Sequence, residues 1–561
     1  MELKKDNQTF FTNYSHLIFF VLLCLFSLQL AFFTNSISKS VDNWAIVFSR
    51  DNDAANGIRL AQISDWTTDN HYYNYGNLYF RIAHTFQKLD PSISINDINR
   101  FSEDSDKSHH FTLMFISMLS FYGISALISY LFTNSKNNFL ISMIILNSIF
   151  MSNNYWISKV FGVHPDLLLC FLISLSVFFT AKYLVSKENN VQNSSLINFQ
   201  ADISQGIIEE DLSKTRFITN KYMIVSAISW GLALAVKLSA LFYLPVLFIV
   251  FLLPFKKSDV PEVIKFFIIL FAIFFIVDFP QNFKFISMYE FIKYQSAFSL
   301  PATFESISEF LVLLYRQYVS FLPALFFICI FLSDRNNFKL KRNSLIKLLC
   351  ISLIPFVFLL QRNITSPHEH YPLPIVSGLL IFTAIALINL KYYFIENRGA
   401  NLNFKGYIPL TIFLFIAVIS LKFLPNASSK ILESDLKCRE EARSIYSLEK
   451  KYQLAKLKTH VDPYVPFDQS LGFVRNNWFK TMADIAPGNA DILILSKNYY
   501  SRYLAKEASH YIKQDTKNFD QIKKFYEVFS NKNITTDIHN QKWQKLQEDQ
   551  CGWEIWARIK K

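Results

Sequence analysis

The chain has 561 residues, 51% of them hydrophobic, 17% aromatic and only 18% charged, with a net charge of +12. Soluble domains carry about a quarter charged residues, and apolar runs of bilayer length recur through the first three quarters, which argues against an ordinary soluble globule. The basic balance does not point to nucleic acid either, because much of the Lys and Arg falls in short connections between apolar runs, and 12 Gly leave no dinucleotide fingerprint.

Each apolar run is on the order of 20 residues, enough to cross a hydrocarbon core of about 30 Å. The expected spans lie near 16–33, 111–132, 138–157, 165–185, 222–236, 239–255, 262–278, 308–332, 344–360, 372–390 and 407–424, about eleven in all. The first follows Lys4 and Lys5 like a signal peptide, but no A-x-A cleavage site comes after it, so it reads as a retained helix. The block from Tyr222 to Phe255 would be roughly 50 Å long as one helix. A break near Lys237 makes it a hairpin of two short helices, with that Lys at the outer surface.

Charge sets the expected orientation. Lys256, Lys257 and Lys265 fall in one connection, and Arg335, Lys339, Lys341, Arg342 and Lys347 in another. These basic loops belong inside, which places the N-terminus inside and the tail outside. The membrane core then covers residues 1–429, including an outer loop at 34–110, and residues 430–561 form a small soluble α/β domain outside. In that tail ADILILSK (Ala490 to Lys497) reads as a buried strand and WEIWARI (Trp553 to Ile559) as another. The segments Glu440 to Lys458 and Lys517 to Phe529 have helical spacing. Cys438 and Cys551 stand near the two ends of the tail, and a disulfide between them suits an oxidising compartment. Two separate thiols are the alternative.

The residues able to carry chemistry gather on the expected outer side. Asp51 and Asp53 follow the first span. A carboxylate there can serve as a general base toward an acceptor hydroxyl, or Asp53 can simply cap a helix beginning at Ala54. The Asp-x-Asp spacing can also chelate a divalent metal, and no other cofactor is indicated. His164 and Asp166 open the fourth span in GVHPDLLL, where an ionisable residue is a site candidate and an acid also suits a helix N-terminus. Lys237 can snorkel to the interface or bind a lipid-linked phosphate as a point charge. Arg316 and Arg362 are lesser candidates for the same phosphate. In RNITSPHEHYPLPIV, His368, His370 and Tyr371 suit acceptor contact better than metal ligation, for which a third ligand is missing.

These pieces resemble the GT-C superfamily of integral-membrane glycosyltransferases, in the group containing protein O-mannosyltransferases and lipid A aminoarabinose transferases. The resemblance is carried by the acidic first outer loop ending in YNYGNLYFRIA, then HPDLLLCFLISLSVFF, GLALAVKLSALFYLP and HEHYPLPIVSGLLIF. In the tail it is carried by ADILILSKNYYSRYL, FYEVF and GWEIWARI. It implies an α-helical polytopic, GT-C-like fold in a bacterial inner membrane. It also implies a sugar donor on polyprenyl phosphate and a lipid, glycan or protein acceptor. Members carry an Asp in the first outer loop, often as Asp-Glu or Asp-Asp. Here the stretch reads Asn52–Asp53–Ala54, so Asp53 is the best match and Asp51 the fallback. The family's second acidic position, at the fourth span, maps onto Asp166, and its Lys in the fifth-span motif onto Lys237. A transporter or flippase for lipid-linked sugars and a glycan ligase are the competing readings; no half-repeat of the transporter kind is visible.

Overall fold

A computed structural model describes chiefly residues 76–89, 103–132, 165–200, 205–252, 260–286, 344–352, 374–382, 450–462, 490–497, 516–530, 532–536, 540–548 and 553–559, with scattered positions between them. Within these, the membrane part is built from α1 (Leu78–Lys88), α2 (Glu103–Phe132), α3 (Asp166–Gln200), α4 (Gln205–Val236), α5 (Leu244–Leu252) and α6 (Val260–Val277). Three stretches are long and apolar enough to cross a membrane: Thr112–Leu131, Asp166–Lys187 and Val260–Val277. The architecture is that of a helical membrane protein. The spans expected at 16–33 and 407–424 lie outside the described residues, as does most of 138–157 and all of 308–332 but Ser308.

Directions follow from which side chains meet. Gly123 of α2 lies against Phe171, and Tyr130 lies 5.9 Å from Phe178 between ring centroids, so α2 and α3 run parallel. Thr180 and Ser226 share a hydrogen bond of 2.8 Å, and Lys237 reaches back to Asp166, so α4 runs antiparallel to α3. Small residues at these crossings let backbones approach closely. A Cβ on Gly231 of α4 would stand 2.5 Å from the Leu270 carbonyl oxygen of α6.

The break expected near Lys237 is present. Lys237 is extended (φ −158°, ψ 129°) and is followed by a 3-10 segment, Leu238–Tyr243, before α5. Pro245 in the first turn of α5 forgoes only a donor that has no helical acceptor there. The chain then descends beside its neighbours, with Tyr243 5.0 Å from Trp230 and Phe251 5.9 Å from Tyr183. It is a hairpin. At its far end Tyr183 donates to Glu262 at 2.6 Å and Lys187 pairs with the same carboxylate at 3.5 Å. The chain climbs again as α6, whose hydrophobic window is only 22% buried. Ile264, Ile268 and Ile276 are exposed on it, the pattern of a helix facing lipid.

One expectation is corrected here. Lys237, at the end of its helix, does not extend into water. Its side chain is buried, because the turn of the hairpin folds it back onto the start of α3 rather than letting it extend outward.

Among its described residues the tail forms a six-stranded sheet from β1 (Thr459–Val461), β2 (Val474–Arg475), β3 (Ile492–Ser496), β4 (Ile534–Thr536), β5 (Lys542–Glu548) and β6 (Trp553–Arg558), in the order β2-β1-β3-β6-β5-β4. The first three are parallel, and β6, β5 and β4 add in antiparallel fashion. Both faces of β3 are covered, so it reads as an unbroken apolar run instead of an alternating one. Leu493 and Leu495 pack with Phe525, Tyr526 and Phe529 of α7 (Thr516–Phe529) and with Trp543 and Trp556. Ile492 and Ile494 pack on the other side with Leu448, Leu454, Val461, Trp553 and Ile555. The helical spacing read through Lys458 stops earlier: Gln453 takes a left-handed conformation (φ 51°), and strand β1 starts at Thr459.

Candidate functional site

The site is built where α3 begins and α4 and α6 end. Asp166 opens α3, where its charge complements the helix dipole. Its Oδ1 accepts from Lys237 Nζ at 2.7 Å, 71 positions away in sequence. Asp166 is 1% exposed. Removing two charges from water costs several kcal/mol per ion, and close pairing is what offsets it. An ion pair set at the end of membrane helices is therefore a costly feature that folding alone does not require.

Helix α1 lies beside this pair, and the two residues before it bond to the chain where α4 and α6 end. The Gly76 amide donates to the Val236 carbonyl, next to Lys237, at 2.9 Å. No side chain fits there: a Cβ on Gly76 would be 2.0 Å from the Ala235 carbonyl oxygen. The Asn77 amide donates to Asp278 Oδ1 at 2.6 Å, just beyond the end of α6. Tyr79 is fully buried and donates to the Leu113 carbonyl at 2.9 Å, with Ser117 Oγ at the same distance. Burial, and secondarily the Asp166 charge, raise its phenol well above the ordinary range, so it stays a neutral donor.

The opposite face of α1 holds the preceding part of the loop. Arg81 is fully buried and donates from Nε to the Asp65 carbonyl at 3.0 Å and from Nη1 to the Val277 carbonyl at 2.5 Å. Its Nη2 bonds the Phe279 carbonyl. A cation at a helix C-terminus meets carbonyls that lack intrahelical partners. His84 Nδ1 bonds the Ala61 carbonyl at 2.9 Å. Burial first, then Lys88, lowers the pKa of His84, against the opposing pull of that carbonyl and of Asp65.

Of the residues singled out from sequence, Asp166 and Lys237 are brought together. Asp51, Asp53, His164, Arg316, Arg362, His368, His370, Tyr371, Cys438 and Cys551 lie outside the described residues. Among the described residues no group of three or more His, Cys, Asp or Glu is placed to hold a metal. Cys170, in α3, is buried and forms no disulfide. Sequence reasoning missed Arg81, Asn77 and Asp278. Asp278 had a signal, since an acid directly closing a bilayer-length run in VDFPQNF is out of place for lipid.

No protein-family profile and no curated protein sequence matches the chain. Among solved structures it is similar to the crystal structure of ArnT from Cupriavidus metallidurans in the apo state. That similarity covers 90% of this chain and 93% of the other, at 12% identity and a TM-score of 0.43. A likeness at that level does not establish a shared family.

Proposed function

We propose that the chain is an inverting glycosyltransferase of the membrane, moving a sugar from a polyprenyl-phosphate carrier to a lipid, glycan or protein acceptor. The observation that carries this reading is the buried Lys237–Asp166 pair, set at the end of the helices and bordered by the loop that follows Asp51 and Asp53 in sequence. A fixed ammonium in a water-poor site stabilises a departing phosphate far better than it would in water.

In this reaction Asp53, or Asp51 in its place, takes the acceptor hydroxyl proton. The oxygen attacks the anomeric carbon, the bond to phosphate breaks, and polyprenyl phosphate leaves with the electron pair. Phosphate is a good leaving group and needs no strong acid at the sugar oxygen, so the two-carboxylate arrangement of glycosidases is unnecessary. Lys237 meets the phosphate charge, helped by Arg316 and Arg362. Asp166 holds the ammonium in place through their 2.7 Å contact. His164, His368, His370 and Tyr371 contact the acceptor. The active side is the extracytoplasmic face of a bacterial inner membrane, with the tail on that same face.

The test uses purified wild type, Asp53→Asn and Asp51→Asn with a panel of polyprenyl-phosphate sugars, reading released polyprenyl phosphate with and without envelope extract. Release by wild type that is lost in Asp53→Asn supports both the reaction and the base. Loss in Asp51→Asn alone moves the base. Wild type that releases nothing yet carries such lipids across liposomes is a flippase.

A further inference from the structure

Arg81 is the one buried guanidinium among the described residues, and its partners come from two distant parts of the chain. Nη1 and Nη2 bond the carbonyls of Val277 and Phe279, where α6 ends, and Nε bonds the carbonyl of Asp65 in the loop. The guanidinium carbon also lies 5.3 Å from the centroid of the Trp66 ring, a cation–π distance. Trp66 is half-exposed, so the ring covers the Arg from outside. One side chain thus joins the loop to the helix end beside Asp278, which in turn holds Asn77. A planar fork can serve three carbonyls in fixed directions, whereas a Lys ammonium at the same place cannot span them.

We infer that Arg81 is a positioning residue: it latches the Asp65–Trp66 segment onto the end of α6 and so keeps the acid-bearing loop in register with Lys237. This rests on the transferase reading for its effect on the reaction, but the latch itself does not. The guanidinium is fully buried and committed to three backbone carbonyls, so its loss acts on the geometry of attack and not on donor affinity. Misplacement of a reacting group by about 1 Å can cost on the order of 100-fold in rate.

The experiment compares wild type, Arg81→Ala, Arg81→Lys and Trp66→Leu in the intact protein, reading two quantities. The first is hydrogen–deuterium exchange in peptides covering residues 60–66 and 279–283, with and without added methylguanidinium. Exchange in both peptides rises by about tenfold or more in Arg81→Ala and returns toward wild type with methylguanidinium, which fills the vacated carbonyl cradle. Arg81→Lys gives an intermediate rise that methylguanidinium does not reverse, and it covers the case in which the alanine variant does not fold. Trp66→Leu raises exchange in residues 60–66 alone. The second quantity is polyprenyl-phosphate release, where kcat falls by about 100-fold while the donor KM changes by less than about threefold. Unchanged exchange in both peptides overturns the latch, and wild-type kcat despite raised exchange overturns its positioning role. Wild type that releases no polyprenyl phosphate overturns the transferase reading instead, and the exchange data still decide the latch.

Discussion

Lys237 ends its helix by closing on Asp166, with 2.7 Å between Nζ and Oδ1, so the last residue before one break is fixed to the first residue of another helix. The pair joins two elements that run in opposite directions. It does so at the end where α1 also docks, through the Gly76 amide on the Val236 carbonyl.

Removing one partner should cost more than removing both. Lys237→Met alone leaves a buried carboxylate and should lose about 3–5 kcal/mol, whereas Lys237→Met with Asp166→Leu should lose little or gain. Thermal unfolding in detergent measures the cycle. A double variant no better than the worse single variant would falsify the account of a pair held by mutual compensation. The double variant should nonetheless release no polyprenyl phosphate.

Gly76 tests the approach of the loop to α4. Gly76→Ala sets a methyl 2.0 Å from a backbone oxygen that cannot swing aside. It should destabilise by about 3 kcal/mol, the upper range for overpacking. Gly378→Ala is the control: its nearest atom is Ser352 Oγ at 3.6 Å, an ordinary contact. A melting temperature equally affected by both substitutions would count against the close docking.

His84 makes the docking of α1 depend on pH. Its folded pKa lies below the ordinary 6.5, so as pH falls the unfolded chain takes up the proton first. The contribution to stability is therefore complete above about 6.5 and is lost as pH falls from there through the lowered folded pKa. Melting temperatures between pH 7.5 and 5 should drop more steeply in wild type than in His84→Gln, which titrates nowhere in that range. Parallel curves for the two would remove His84 from the explanation.

In the tail, Asp462 follows β1 and is fully buried. It accepts from the Ser496 amide at 2.9 Å and from the Tyr526 hydroxyl at 2.8 Å, joining β1, β3 and α7. Asp462→Asn must turn an amide donor toward one of these donors and should cost about 1.5–3 kcal/mol, while Tyr526→Phe removes one bond and should cost about 1 kcal/mol. Amide exchange at the end of β3 is the direct measure, and equal protection in all three proteins would rule out the bridge.

Local pattern and length made several features legible in the sequence. The break at Lys237 was readable because a run of that length exceeds one bilayer crossing. Strands β3 and β6 were readable from ADILILSK and WEIWARI, where apolar β-formers are dense. What was not legible depends on partners far apart in the chain. Arg81 bonds carbonyls 196 and 198 positions away, and a carbonyl has no residue type to signal it. The burial of Lys237 was hidden for a similar reason. A Lys flanked by apolar residues looks alike whether it snorkels to water or turns inward to an acid, and only the placement of Asp166 decides.

The order of the tail's sheet bears on how the protein is made. Strand β6 lies between β3 and β5, so the segment translated after every other strand of the sheet occupies its middle. The emerging tail cannot complete its hydrogen-bond ladder, or cover Trp543 and Leu493 with Trp556, until the ribosome has passed Arg558. Up to that moment β3 and β5 have no common neighbour, and their unpaired edges are open to other chains. A premature stop ahead of Trp553 would therefore leave a product prone to aggregate on whichever side of the membrane the tail is delivered.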